Sequence, residues 1–332
     1  MDPLMLAAVI AGTLVVFGYL VVIWWLDRYE REPFWLALVV FAWGGFGGTS
    51  LGCLCSLPFV LGATAVGGEA AGTVVGAVVV APLIEEVTKG LAFLLLLLTR
   101  HLDNETDGLI YGAAAGLGFA AVENIMYAMA ASSEGATAVV VTMFMRTFLT
   151  ALVHCISSGI LGMSIGYARH RSGAARWIVW PAVGFFLAVL NHAVWNGLAT
   201  AMDLEALGES SVLLAPLGIL IVLAAAAGMF GLTQWSLARE HRTMRRHLLD
   251  ESVRGVIPTE HARIIPYWSR RRRRGWLPAH VPHEAYVRAA TLLAFRLHQL
   301  EVARGERREQ YLADIAGLRA EVRGMLEGSV AV

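Results

Sequence analysis

The chain has 332 residues, 57% hydrophobic and 16% charged, with 26 basic and 26 acidic side chains. A soluble domain carries about one quarter charged residues, so this composition excludes an ordinary water-soluble enzyme and predicts a polytopic membrane protein. Three cysteines, Cys53, Cys55 and Cys155, all inside apolar stretches, exclude a disulfide framework and suggest small residues packing between helices.

Apolar segments fall at 4–26, 35–63, 72–98, 109–131, 138–168, 177–200 and 212–237. Each meets or exceeds the roughly 20 residues needed to cross a bilayer. Backbone groups in lipid must be satisfied within the segment, so the pattern predicts an all-α bundle of about seven transmembrane helices. The first segment follows only Asp2 and Pro3 and ends in WWLDRYERE without a small-residue cleavage site, which predicts an anchor and not a cleaved signal. Small residues recur every four positions at Gly44, Gly48 and Gly52, at Gly68, Gly72 and Gly76, at Gly112 and Gly116, and at Ser158, Gly162 and Gly166. That spacing lets helix backbones approach closely.

The loops indicate an orientation. The first, third and fifth carry Arg28 and Arg31, Arg100, and Arg169, Arg171 and Arg176. The second and fourth hold no Lys or Arg, and the sixth is acidic through Asp203, Glu205 and Glu209. An excess of cations on the cytoplasmic side then puts the N-terminus outside and the C-terminus in the cytoplasm. Arg146, in the outer part of the fifth segment, is the misfit: it marks the entry of that helix into the bilayer or pairs with a buried carboxylate.

The charge predicts two domains, a core at 1–237 and a basic helical tail at 238–332. The tail holds 18 arginines against 11 acidic residues, net +7. An Arg-rich stretch at 239–254 continues the last apolar segment, and residues 283–327 read as two helices folded back at Gly305. The run Arg270 to Arg274 favours anionic lipid headgroups over nucleic acid as its partner.

The polar residues inside the apolar segments raise the functional question. The third segment contains APLIEEVTKG, with Glu85, Glu86 and Lys89. The fourth contains Glu123 and Asn124, the fifth His154 and Ser158, and the sixth His192 and Asn196. A carboxylate near the centre of a membrane helix costs about 3 kcal/mol on insertion scales. Glu85, Glu123, His154 and His192 lie 13 to 15 residues from the inner ends of their segments. At 1.5 Å per residue that is roughly 20 Å from the cytoplasmic face, so four helices running in alternating directions bring ionisable groups to one level. Glu85 with Lys89, His154 with Ser158, and His192 with Asn196 are i, i+4 pairs, each on one helix face. A shared polar pocket is predicted, displaced toward the outer surface. Its carboxylates are offset by Lys89 or a metal, with Glu86, Glu123, His154 and His192 as candidate metal ligands. Hydrolysis suits this set, either through a carboxylate base with His and Asn donors or through zinc. The HExxH spacing is absent. Two other readings stand beside it: a proton- or cation-coupled transporter using the same Glu and His residues, and a scaffold whose tail acts.

In these residues the chain resembles the PrsW family of intramembrane proteases, within the superfamily of CAAX-prenyl and bacteriocin-processing proteases. EEVTK (Glu85 to Lys89) is similar to EExxK, GFAAVEN (Gly118 to Asn124) to FxxxEN, HCISSGILG (His154 to Gly162) to HxxxSxxxG, and HAVWN (His192 to Asn196) to HxxxN. The resemblance covers residues 1 to about 237. It implies a multi-pass endopeptidase of the bacterial cell membrane whose substrates are single-span membrane proteins, such as anti-sigma-factor-like regulators cut on the extracytoplasmic side. It also implies roles: Glu85 as general base, with Glu86 adjacent; His154 assisting or binding the water; His192 and Asn196 as oxyanion donors; and Glu123 as a further catalytic or metal-binding group. The resemblance leaves a divalent metal such as zinc and a metal-free glutamate mechanism both open.

Overall fold

The computed structural model describes residues 2–29, 31–99, 101–169, 173–202 and 214–328. Arg100, Arg171, Asp203, Glu205 and Glu209, used above to orient the chain, lie outside the described residues. Among the described residues every regular element is helical. Six helical stretches are long and apolar enough to cross a membrane: α1 (Pro3–Leu26), α2 (Phe34–Leu96), α3 (Glu105–Glu134), α4 (Ala136–Arg169), α5 (Arg176–Met202) and α6 (Leu214–Val253).

The second and third expected segments share one stretch, α2, of 63 residues. At 1.5 Å per residue it would be about 95 Å long, some three times the bilayer core. It doubles back instead. Gly68 has φ 81° and ψ 178°, a backbone conformation open to glycine and rarely to other residues. Beyond it Gly72 comes to lie against Thr64 and Gly76 against Val60, so the two legs pack antiparallel. The loop expected near 64–71 is therefore a single non-helical residue.

Contacts divide the chain into two compact units, one of residues 1–26 and 32–232, the other of residues 27–31 and 233–332. This division and the one expected at 237/238 both lie inside α6. In the first unit α3 is the central and most buried helix. Its N-terminus is fixed by a capping box: Asn104 Oδ1 accepts from the Asp107 amide at 2.9 Å, and Asp107 Oδ2 accepts from the Asn104 amide at 3.0 Å. On one side Gly108, Gly112 and Gly116 face the backbone of Gly162, Ser158 and His154 on α4. On the other side Gly118 faces the Phe41 carbonyl of α2, and Gly44 of α2 faces the Ala115 carbonyl. A Cβ at any of these glycines would penetrate a carbonyl group, so the small-residue spacing has a direct steric reason. Cys155 is buried, but Cys53 and Cys55 are exposed. The expectation that all three cysteines pack between helices is thus corrected for the two on the outer face of α2.

Among the described residues three π-helical turns interrupt the spans, at Trp43–Gly48, Gly76–Val80 and Arg146–Thr150. Each adds a residue to the turn and rotates the side chains beyond it, a device common beside functional groups.

The second unit contains α7 (Thr259–Ile264), α8 (Trp268–Arg271), α9 (His283–Val302) and α10 (Glu306–Glu327), with the outgoing part of α6. Gly305 at φ 58° separates α9 from α10. Met244, Leu248, Ile265, Tyr286, Leu293 and Val322 are among its core residues. Glu251, buried on α6, accepts both arms of Arg319 from α10 at 2.7 and 2.6 Å. Arg271, the second of the five arginines, is buried, stacks over Tyr29 at 5.1 Å and donates to the Arg28 carbonyl. The other four arginines of the run are exposed.

Gly116→Leu would drive a side chain into the His154 carbonyl, whereas nothing lies within 4 Å of a Cβ at Gly18. Thermal unfolding in detergent is expected to show Gly116→Leu destabilised by at least about 3 kcal/mol, with Gly18→Leu close to wild type.

Candidate active site

Lys89 is the hub of the polar cluster. Its ammonium is fully buried and lies 2.8 Å from Glu86 Oε1 and 3.5 Å from Glu85 Oε2. It donates to His154 Nδ1 on α4 at 2.9 Å and sits 4.1 Å above the Phe119 ring of α3. A buried cation that touches two carboxylates, an imidazole and an aromatic face offsets the cost of placing those carboxylates in lipid.

The remaining contacts assign each group a state. Glu86 has both oxygens engaged: Oε1 accepts from Lys89 and from His192 Nδ1 at 3.0 Å, and Oε2 accepts from Ser158 Oγ at 2.8 Å. With Nδ1 donating to Glu86, a neutral His192 presents a bare Nε2, 3.7 Å from Glu85 Oε2. His154 is the converse tautomer. Its Nδ1 accepts from Lys89, and its Nε2 donates to Glu123 Oε2 at 2.9 Å. The two imidazoles meet edge to face with centroids 4.7 Å apart.

Glu123 is clamped from the far side by Arg146, at 2.5 Å through Nη2. Arg146 Nε also donates to Asn124 Oδ1 at 3.0 Å, and its guanidinium stacks 3.7 Å from the Tyr127 ring. The cation that did not suit the loop pattern is therefore the partner of a buried carboxylate. Its sequence signal was a lone arginine inside an apolar segment.

Glu85, Glu86, Lys89, Glu123, His154, Ser158 and His192 thus converge from α2, α3, α4 and α5, with Asn124 joined through Arg146. Asn196 Nδ2 donates to the Ala77 carbonyl at 2.9 Å. Ala77 lies in the π turn Gly76–Val80, and the residue five positions on is Pro82, which has no N–H to return. One N–H of that amide thus caps a carbonyl released by a proline, and the expected oxyanion role of Asn196 falls to its second N–H. Sequence reasoning also missed Trp43, whose Nε1 donates to the Thr88 carbonyl at 3.1 Å, and Asn191, which donates to Ser157 Oγ at 2.8 Å. Neither position carries a charge that would have drawn notice.

Two buried polar atoms of these residues, Glu85 Oε2 and Asn124 Nδ2, have no hydrogen bond, and the carboxylate oxygen is the one beside the histidines. Ligand atoms of Glu85, His154 and His192 all lie within 4.8 Å of one another. One carboxylate and two imidazoles match the donor chemistry of a zinc-type ion, and Glu86 behind His192 Nδ1 is the outer partner such a ligand uses. Of the four candidate ligands read from sequence, His154 and His192 belong to this set, and Glu86 and Glu123 do not. Both Glu86 oxygens are engaged and Glu123 Oε2 holds Arg146 and His154, while His154 itself has Nδ1 on Lys89 and Nε2 on Glu123 and would have to release one of them to take an ion.

The model of the PrsW family of intramembrane metalloproteases matches residues 32–229, which hold every residue of the cluster. The chain belongs to the PrsW family. Protease PrsW of Geobacillus kaustophilus is 30% identical over 178 residues, 53% of this chain and 72% of that protein. Protease PrsW of Oceanobacillus iheyensis is 26% identical over 219 residues, 65% of this chain and 90% of that protein. Protease PrsW of Bacillus subtilis is 32% identical over 103 residues, 31% of this chain; the match spans 44% of the Bacillus protein, less than half its length. No solved structure matches. Membership makes the chain a multi-pass membrane protein of a protease family, and the tail beyond residue 229 lies outside the matched region.

Replacing Asn196 by Ala leaves the Ala77 carbonyl without its donor, at a cost of about 1–3 kcal/mol. Thermal unfolding in detergent should register that loss even with no substrate present. A stability equal to wild type would return Asn196 to a purely catalytic role.

Proposed function

We propose that this PrsW family member is an intramembrane endopeptidase that cleaves single-span membrane proteins, with Glu85 taking the proton of the attacking water. The observation that carries this reading is the unbonded, buried Oε2 of Glu85 beside His192 and His154. Its one charged neighbour, Lys89 at 3.5 Å, makes no hydrogen bond to it, so a water aimed at a peptide carbonyl would supply the missing donor. As the water oxygen forms its bond to the carbonyl carbon, its proton passes to Glu85 Oε2. In this metal-free route His192 first takes up a proton at Nε2, keeping Nδ1 on Glu86, and then donates from Nε2 to the developing oxyanion. The C–N bond then breaks, and the proton held by Glu85 goes to the leaving nitrogen. Lys89 and Ser158 keep Glu86 ionised and oriented, and Arg146 keeps Glu123 against His154. As the alternative route, a divalent ion would be held by Glu85 and the bare Nε2 of a neutral His192, with His154 joining once it releases Lys89 or Glu123, and would polarise that water and lower its pKa.

The wider reading supplies the setting. Each leg of α2 crosses the bilayer, giving seven crossings, with the N-terminus outside and the tail cytoplasmic. The cluster then opens toward the extracytoplasmic side, where an anti-sigma-factor-like regulator would be cut. Arg270, Arg272, Arg273 and Arg274 meet anionic headgroups on the inner leaflet.

Reconstitution with a library of single-span substrates tests the core of this. Glu85→Gln keeps the size of the side chain and removes the proton acceptor. It should lower cleavage by about 10²–10⁴-fold, the usual contribution of a general base. Cleavage by Glu85→Gln at the wild-type rate would sink the assignment, and ion flux lost in the same variant with no cleavage by wild type would favour a transporter.

A further inference from the structure

The second unit holds a histidine cluster that the protease reading does not use. His247 lies on α6, and His298 and Glu301 lie one turn apart on α9. Ligand atoms of all three fall within 4.8 Å of one another. His247 Nε2 is 3.8 Å from Glu301 Oε1, and His298 Nδ1 is 3.3 Å from Glu301 Oε2. The two imidazole rings lie 5.9 Å apart between centroids, tilted by 49°.

A polar surface cluster would ordinarily need no further explanation. What sets this one apart is His247. The residue is 6% exposed, and its Nε2 is buried with no hydrogen bond. Its neighbours on the inward face of α6, Met244 and Leu248, are in the core, so the ring cannot easily turn out to water. A buried imidazole nitrogen left without a partner, aimed at a histidine and a glutamate on the facing helix, is missing a ligand of its own.

We propose that His247, His298 and Glu301 form a second metal site, one for a zinc-type divalent transition ion, that joins α6 to α9 within the tail. Two imidazoles and one carboxylate suit zinc and its neighbours, and disfavour calcium or magnesium, which take oxygen ligands. Bonds of about 2.1 Å in a tetrahedron place ligand atoms about 3.4 Å apart. The two Glu301 contacts, 3.8 Å at Oε1 and 3.3 Å at Oε2, lie within a few tenths of an ångström of that figure on different oxygens, so a rotation of the carboxylate and of the rings brings all three residues to one ion. Three protein ligands leave one position for water or for Asp250, which stands exposed one turn along α6 from His247. One feature opposes the ion: Arg246 Nη2 lies 3.2 Å from Glu301 Oε1. That arginine is two-thirds exposed, so it can swing into solvent when the carboxylate takes a metal.

The test uses the untagged full chain in detergent, stripped with a chelator, exposed to zinc and freed of excess metal, with bound zinc read by elemental analysis. Glu85→Gln with His192→Gln provides a background in which the intramembrane set cannot contribute. That background should retain one zinc per chain. Adding His247→Gln or His298→Gln should abolish it, while helical content stays unchanged. Arg246→Gln, which leaves all three ligands in place, should keep it. The proposal is overturned if the background binds no zinc, or if His247→Gln and His298→Gln hold as much as the background does. Neither result bears on Glu85 chemistry, so this site and the protease reading stand or fall separately.

Discussion

The structure of the first unit depends on one buried ammonium. Lys89 reaches Glu85 and Glu86 on its own helix and His154 on α4, over the ring of Phe119 from α3. Without that charge, two adjacent carboxylates in the middle of a membrane span would each face a penalty of several kcal/mol. With it, the same carboxylates become anchors. Glu86 holds His192 from α5, and the chain of contacts runs on through His154 to Glu123 and Arg146. Lys89 stands beside Glu86 and Arg146 beside Glu123, and neutral His154 relays a hydrogen bond from Lys89 to Glu123, so each of these two carboxylates has a cation next to it.

Packing makes the short distances possible. The glycines of α3 let α4 and α2 approach until backbone touches backbone, and the polar residues lie at the same levels as those contacts. Gly116 meets the carbonyl of His154 itself, and Gly112 that of Ser158. Small residues and ionisable residues are therefore two halves of one arrangement. Larger residues at the glycine positions would widen the gap that Lys89 and His154 now bridge.

Much of this was legible in the sequence, for identifiable reasons. Glu85, Glu123, His154 and His192 fall at one depth because helical rise is constant and successive spans alternate in direction. Their i, i+4 partners share a face for the same reason. Other features were not legible. Which glutamate keeps an open oxygen depends on whether Lys89, His192 and Ser158 settle on Glu85 or on Glu86, and spacing treats the two alike. The attachment of Asn196 to Ala77 follows from a π turn ahead of Pro82, a local change of register that hydropathy does not encode. The turn at Gly68 was read as a loop of several residues because one glycine can do the work of many only when its φ is positive. In the tail, the break at Gly305 was visible as a glycine among charges. The meeting of His247 with His298 was not, since it depends on how α9 lies against α6.

The coupling between Lys89 and Glu86 tests the account most directly, measured as a double-mutant cycle on thermal stability in detergent with Lys89→Met, Glu86→Gln and the pair. If Lys89 is the charge that makes the buried carboxylates tolerable, each single change strands a charge. The double variant should then be more stable than the sum predicts by about 2–3 kcal/mol. Effects that add to within about 0.5 kcal/mol would mean the two groups do not meet, and the cluster as described would not exist.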